Sequence, residues 1–111
     1  MKIQTQNYND VTVVELQGEF TSELIKPFVD TMTSIVAGGA FGIVLDMSNV
    51  AFIDSKCLEQ LLWLRDYCHE NNRQLKLAGL EENCKKILEI TRLLGKFDVY
   101  EELAPAVKSF A

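Results

Sequence analysis

The residues of this chain that could do chemistry are few. They are one histidine, three cysteines, and a serine that follows an aspartate directly ahead of a helical segment. A helix start leaves backbone N–H groups unpartnered and carries a partial positive charge, so Asp54 and Ser55 suit it as caps. A phosphate at the same place would be stabilised by the same N–H groups and dipole. Two readings of Ser55 follow from its position: a cap or a regulatory hydroxyl. Nucleophilic catalysis would need a base and an orienting group near it. Asp54 is adjacent and so points differently, and His69 lies at the polar end of the same helix. No Gly-x-Ser-x-Gly elbow and no Gly-x-x-x-x-Gly-Lys phosphate loop occurs, so a nucleotide site would rest on the Ser55 helix start alone. The paired carboxylates Glu81-Glu82 and Glu101-Glu102 read as exposed caps and turns. No residue is assigned a catalytic role, and the expectation is a non-enzyme.

Cysteine spacing excludes more than it offers. Cys57 and Cys68 fall on one face of one helix, too far apart to bridge, and Cys84 has no partner at Cys-x-x-Cys spacing. Reduced core thiols are expected, with no metal and no cofactor. The net charge of −5 and the lack of any basic cluster argue against nucleic acid. No apolar run reaches the ~20 residues that span a bilayer. Met1 to Thr5 is polar and alternating rather than a signal peptide, so a cytoplasmic location without membrane insertion is expected. At 111 residues and 48% hydrophobic, the chain suits a single domain, 1–111, with one core.

The elements that must position Ser55 are legible from periodicity. Lys2 to Gln6 alternates as an edge strand, and Asn7 to Asp10 is a turn by its Asn and Asp content. Val11 to Leu16 is a branched apolar strand closed by Gly18, and the two strands form a hairpin. Ile25, Phe28, Val29, Met32, Ile35 and Val36 recur at helical spacing up to Gly38-Gly39. Pro27 delays the helix start from Thr21-Ser22-Glu23 toward Lys26. Ile43 to Leu45 reads as a buried strand broken by Asp46 to Asn49, with Val50 to Ile53 as a short apolar return. The next helix runs from about Lys56 to Glu70. Its stripe of Cys57, Leu61, Leu64 and Cys68, flanked by Leu58 and Leu62, should face the core. Lys56, Gln60, Trp63 and Tyr67 share another face beside Ser55. That face is either an interface, for which Trp and Tyr are typical anchors, or is covered by a loop or helix. Gln74 to Ala78 is a strand. Glu81 to Leu94 is a helix with Cys84, Ile87, Leu88, Thr91 and Leu94 inward, ended by Gly95. Phe97 to Tyr100 is the last strand, and Pro105 to Phe110 a short terminal helix. Strands separated by helices require crossovers, hence an α/β fold with a mixed sheet of about four to five strands and about four helices.

Asp46-x-Ser48-x-Val50-x-Phe52-Ile53-Asp54-Ser55 resembles the signature of the STAS domain, the fold of bacterial anti-sigma factor antagonists. Gly18-Glu19-Phe20 resembles the family's Gly-Glu-Leu, Leu94-Gly95-Lys96-Phe97 the link before its last strand, and Ala106-Val107 the start of its final helix. The resemblance implies that Ser55 is phosphorylated by a partner kinase that is also an anti-sigma factor. A serine phosphatase is a further candidate partner, and the effect on transcription would be indirect. Asp54, Ser55, Lys56, Glu59, Gln60, Trp63, Tyr67 and Thr21 are the expected partner-binding residues.

The chain also departs from the pattern. Thr21 stands where the family usually has an aspartate. Asp54-Ser55-Lys56-Cys57-Leu58-Glu59 stands where the family commonly reads Asp-Ser-Ser-Gly-Leu-Gly. Cys57 and Glu59 add side chains where a partner's backbone would come close, and Lys56 adds a cation able to pair with a phosphate or an acidic partner. These departures keep open a second expectation, a constitutive adaptor or scaffold in a stress-signalling or lipid-transport complex. The oligomeric state is left open.

Overall fold

The computed structural model describes residues 2–20 and 22–110, with the backbone alone at Glu19 and Phe20. Strands β1 (Lys2–Tyr8), β2 (Val11–Phe20), β3 (Gly42–Ile53), β4 (Gln74–Ala78) and β5 (Asp98–Tyr100) form one sheet in chain order. Strand β1 is antiparallel to β2 and the rest are parallel. The β1–β2 hairpin closes over Asn9-Asp10, and Asn9 takes φ 56°, a left-handed conformation that Asn tolerates better than most residues.

Each parallel connection is a helical crossover: α1 (Ile25–Ala37), α2 (Ser55–Glu70) and α3 (Glu82–Ile90). Strands added in sequence by crossovers of one hand put their helices on one side. That side holds the main core, where Val14, Leu16, Ile43, Leu45, Met47 and Leu77 meet apolar residues of all three helices. The other side is covered by α4 (Leu103–Lys108), whose Ala106 packs on Val11, Val13, Val44 and Ala78, and by Phe110 beyond it. The expected mixed α/β sheet is therefore found, with five strands and four α-helices among the described residues.

Helix α1 begins at Ile25 after a 3-10 turn at Ser22–Leu24. Pro27 thus falls in the first turn, where its missing N–H costs no helical bond. Strand β1 runs on through Tyr8 and α4 lies two residues earlier than its spacing suggests, and three boundaries differ more. Strand β3 does not break at Asp46 to Asn49 but runs unbroken for 12 residues. Its pairing with β4 ends at Asp46–Ala78, while pairing with β2 continues to Phe20–Ile53. The polar residues Ser48 and Asn49 are thus outward-facing strand residues beyond the shorter neighbour. Strand β2 likewise passes Gly18, which takes φ 102° at a register irregularity instead of closing the strand. Helix α3 stops at Ile90, because Arg92 turns the chain at φ 62° before a 3-10 turn at Leu94–Lys96. Thr91 consequently caps α3 and is exposed, donating its hydroxyl to the Ile87 carbonyl at 2.7 Å, whereas Cys84 and Leu88 are buried as expected.

Lys76, only 6% exposed, lies under α4 and was not distinguished in the sequence. Its Nζ donates to the Ser109 hydroxyl, sits 4.2 Å from the Phe110 ring centre and lies 3.9 Å from an Asp98 oxygen. The apolar stem stays in the sheet and the charge is met by an aromatic face and a carboxylate. At the other end of Phe110, Gly42 leaves no room for a side chain, since a Cβ there would overlap the ring. Gly42→Ala should cost about 1–3 kcal/mol in denaturant unfolding. Part of that loss should return when Phe110 is also shortened to Leu.

Candidate functional site

Strand β3 delivers the chain to Ser55. At its far half Asp46 accepts hydrogen bonds from the Ser48 backbone N–H at 3.1 Å and from the Ser48 hydroxyl at 2.7 Å. The Asn49 amide donates to Glu15 of β2 at 3.3 Å. These polar residues brace the stretch where β3 has lost β4 as a neighbour, which gives the Asp46-x-Ser48 motif a structural task.

The strand then ends and α2 begins at once. Asp54 is its N-cap with extended backbone (φ −95°, ψ 177°), and its carboxylate accepts from the Cys57 N–H at 2.9 Å. Hydrogen bonding to Cys57, through its side chain first and its backbone N–H second, holds the Asp54 carboxyl below the usual carboxylate range. Ser55 is the first helical residue, exposed, and makes no side-chain hydrogen bond among the described residues. Capping is thus the work of Asp54, and among the described residues the Ser55 hydroxyl has no hydrogen-bond partner.

The cap carries a pH dependence with a definite sign. A carboxyl whose folded pKa lies below its unfolded value stabilises the fold above the unfolded value, ~3.9 for Asp. That contribution is lost as pH falls through the lower folded value. Protection of the Cys57 amide from hydrogen exchange should therefore hold from neutral pH to about 4 and decline in more acid solution. Asp54→Ala should abolish that acid step.

The remaining expected partner residues continue along α2. Lys56 and Glu59 are exposed and Gln60 is half-buried. Trp63 and Tyr67 stack with ring centres 5.0 Å apart and planes 16° apart, and both pack partly against the main core. Each is half-buried, with part of the ring on the core and the rest exposed. Thr21 lies outside the described residues. Phe52, three residues before Ser55, belongs to the expected apolar return and to the motif but is 48% exposed, which neither announces. Strand alternation was the available signal, since Ile53 is buried at 2% and its neighbour must point the other way.

The cysteines sit where core residues should. Cys57 is fully buried, and burial, reinforced by the Asp54 carboxylate, pushes its thiol up to about 12. Burial pushes Cys68 up to about 11 and also raises Cys84, whose thiol donates to the Val50 carbonyl at 3.3 Å. All three are free thiols. Among the described residues no helix is long and apolar enough to cross a membrane.

Comparison with known proteins agrees with this geometry. The family model of the STAS domain matches residues 2–106. A STAS-domain containing protein of Pseudomonas aeruginosa is 31% identical over 86 residues, which is 78% of this chain and 84% of that protein. An anti-sigma factor antagonist from Mycobacterium paratuberculosis superposes with a TM-score of 0.86 at 19% identity, covering 97% of this chain and 92% of that one. The Bacillus cell fate determinant SpoIIAA in its phosphorylated form superposes with a TM-score of 0.78 at 14% identity, covering 99% of this chain and 100% of that one. At such identities the two structures speak for the fold. The family rests on the match across nearly the whole sequence: this chain belongs to the STAS domain family.

Proposed function

We propose that the chain is an anti-sigma factor antagonist, a cytoplasmic binding protein without enzymatic activity. It is switched by phosphorylation of Ser55 by a partner anti-sigma factor kinase and acts on transcription indirectly. The observation that carries this reading is the division of labour at the start of α2, where Asp54 caps and the exposed Ser55 hydroxyl makes no hydrogen bond among the described residues. A kinase can reach such a hydroxyl without unfolding the helix. A structural neighbour solved in a phosphorylated form supports the same reading. Unmodified, the surface from Phe52 through Ser55, Lys56, Glu59, Gln60, Trp63 and Tyr67 docks on the partner, with Thr21 as a further contact. A phosphate adds up to ~2 negative charges to that surface and releases the partner by repulsion and desolvation. A serine phosphatase resets it. Incubation with ATP and native lysate, followed by phosphosite mapping, is expected to find phosphate on Ser55 of the wild type and none on Ser55→Ala. Equal modification of the alanine variant would remove Ser55 from the mechanism.

The family departures favour a second reading only at two positions. Cys57 is fully buried, so its side chain fills core space and leaves a partner's approach open. Lys56 and Glu59 are exposed beside Ser55 and present two charges where the family has small residues. A constitutive adaptor that binds the same partner whether or not Ser55 is modified would use this altered surface.

A further inference from the structure

At the end of α2 remote from Ser55 lies a concavity of about 280 Å³ in which positively charged side chains gather. Its lining includes Arg65 and His69 of α2, Arg73 ahead of β4, and Lys96 ahead of β5. The rise along α2 puts Arg65 about 15 Å and His69 about 21 Å from Ser55. Two carboxylates also line it, one paired with a cation of the concavity itself and the other with a cation outside it. Asp66 lies 3.1 Å from Arg65, and Asp98 is 3.9 Å from the buried Lys76. Arg73 and Lys96 have no ion pair among the described residues. The Nε of Arg73 is closed to solvent and has no hydrogen-bond partner among the described residues, so a ligand in the concavity would be met by the outer N–H groups of the same guanidinium. The surroundings fit an acceptor. At the end of α2 the carbonyls of Tyr67, His69 and Cys68, which would repel an anion, accept from the backbone N–H groups of Asn71, Asn72 and Arg73. Arg65 donates its Nε to the Lys96 carbonyl at 2.8 Å, joining α2 to the segment that carries Lys96.

We infer that this concavity binds a small oxyanion of the phosphate class, with Arg73 as its principal donor and Arg65 and Lys96 completing the set. The donors come from three separate segments and converge on one volume. That arrangement suits a multiply charged tetrahedral anion with oxygens on several sides, and guanidinium groups pair well with phosphate. The site is independent of Ser55, and neither depends on the other.

The test is an amide-resolved NMR titration of the full chain with inorganic phosphate, and in a second arm with phosphoserine, at ionic strength held constant with chloride. The expected result is saturable shifts over residues 65–75 and 96–98, with Ser55 to Leu58 unmoved. Arg73→Gln should weaken binding about 10-fold or more, the loss of one charge-assisted donor. Arg73→Lys, which keeps the charge and the fold but lacks the outer N–H groups of the guanidinium, should fall between that variant and wild type. Equal response to both ligands would identify a free-oxyanion site, and tighter phosphoserine binding a site for a phosphate monoester. Shifts that grow linearly without saturation, that centre on Ser55, or that persist unchanged in both Arg73 variants would overturn the assignment. If Arg73→Gln fails to fold, Arg73→Lys and Lys96→Gln decide it, and wild-type affinity in both would be equally fatal.

Discussion

Ser55→Asp is expected to weaken binding of the partner by about 100-fold or more, while Ser55→Ala binds like the unmodified protein. The estimate follows from charge in an interface. A carboxylate forced against a desolvated or like-charged surface costs several kcal/mol, and each 1.4 kcal/mol is about tenfold in affinity. Ser55 is exposed at the first position of α2, so the alanine variant gives up no intramolecular hydrogen bond among the described residues and the fold should be unchanged. The neighbouring Lys56 should change the effect little. Adjacent helix residues do not face one another, so its ammonium is poorly placed to neutralise a charge at position 55. Lys56→Ala should therefore leave the contrast between the two Ser55 variants in place. Titration calorimetry of the purified partner against each variant reads the difference directly.

The second large effect is on stability. Leu61 is fully buried between α2 and the sheet, together with Leu64 and Cys57. Leu61→Ala should cost about 2–5 kcal/mol, through lost transfer energy and the cavity left behind. That is a large share of the about 5–15 kcal/mol that holds a domain of this size. Because the same helix presents Ser55, partner affinity should fall with it under conditions where the variant is partly unfolded. Trp63→Ala makes the informative contrast. Its ring is only half-buried and rests on Tyr67, so a smaller stability loss is expected, with a loss of partner affinity that persists where the fold is intact. Denaturant midpoints and affinities measured on the same samples separate the two outcomes.

The stripe along α2 shows why much of this fold could be read directly. Cys57, Leu58, Leu61, Leu64 and Cys68 recur at helical spacing and all are buried, because a helix on a sheet has one face to hide. The cap was legible too, since Asp before a helix has one obvious acceptor role. The polar residues of β3 suggest an end of the strand. They mark instead the place where β4 stops and one neighbour remains, a fact about a different segment of chain. Helix α3 was drawn too long because apolar spacing continues to Leu94. What ends it is the backbone at Arg92, which residue type does not announce, and Gly95 plays no part in the stop. Lys76 is an ordinary strand lysine in one dimension. Its burial depends on Phe110, Tyr100, Ser109 and Asp98 arriving from the end of the chain. Trp63 and Tyr67 are neither core nor free surface, because each covers part of the other.

The central claim is that the Ser55 hydroxyl is the switch between a bound and a released state. Capture from native lysate with wild-type and Ser55→Asp baits, with proteins and phosphosites identified by mass spectrometry, tests it most directly. The expected result is an ATP-binding kinase held by the wild type alone, with phosphate on Ser55. Equal capture of one complex by both baits, with Ser55 unmodified, would contradict the switch and leave a constitutive adaptor in its place.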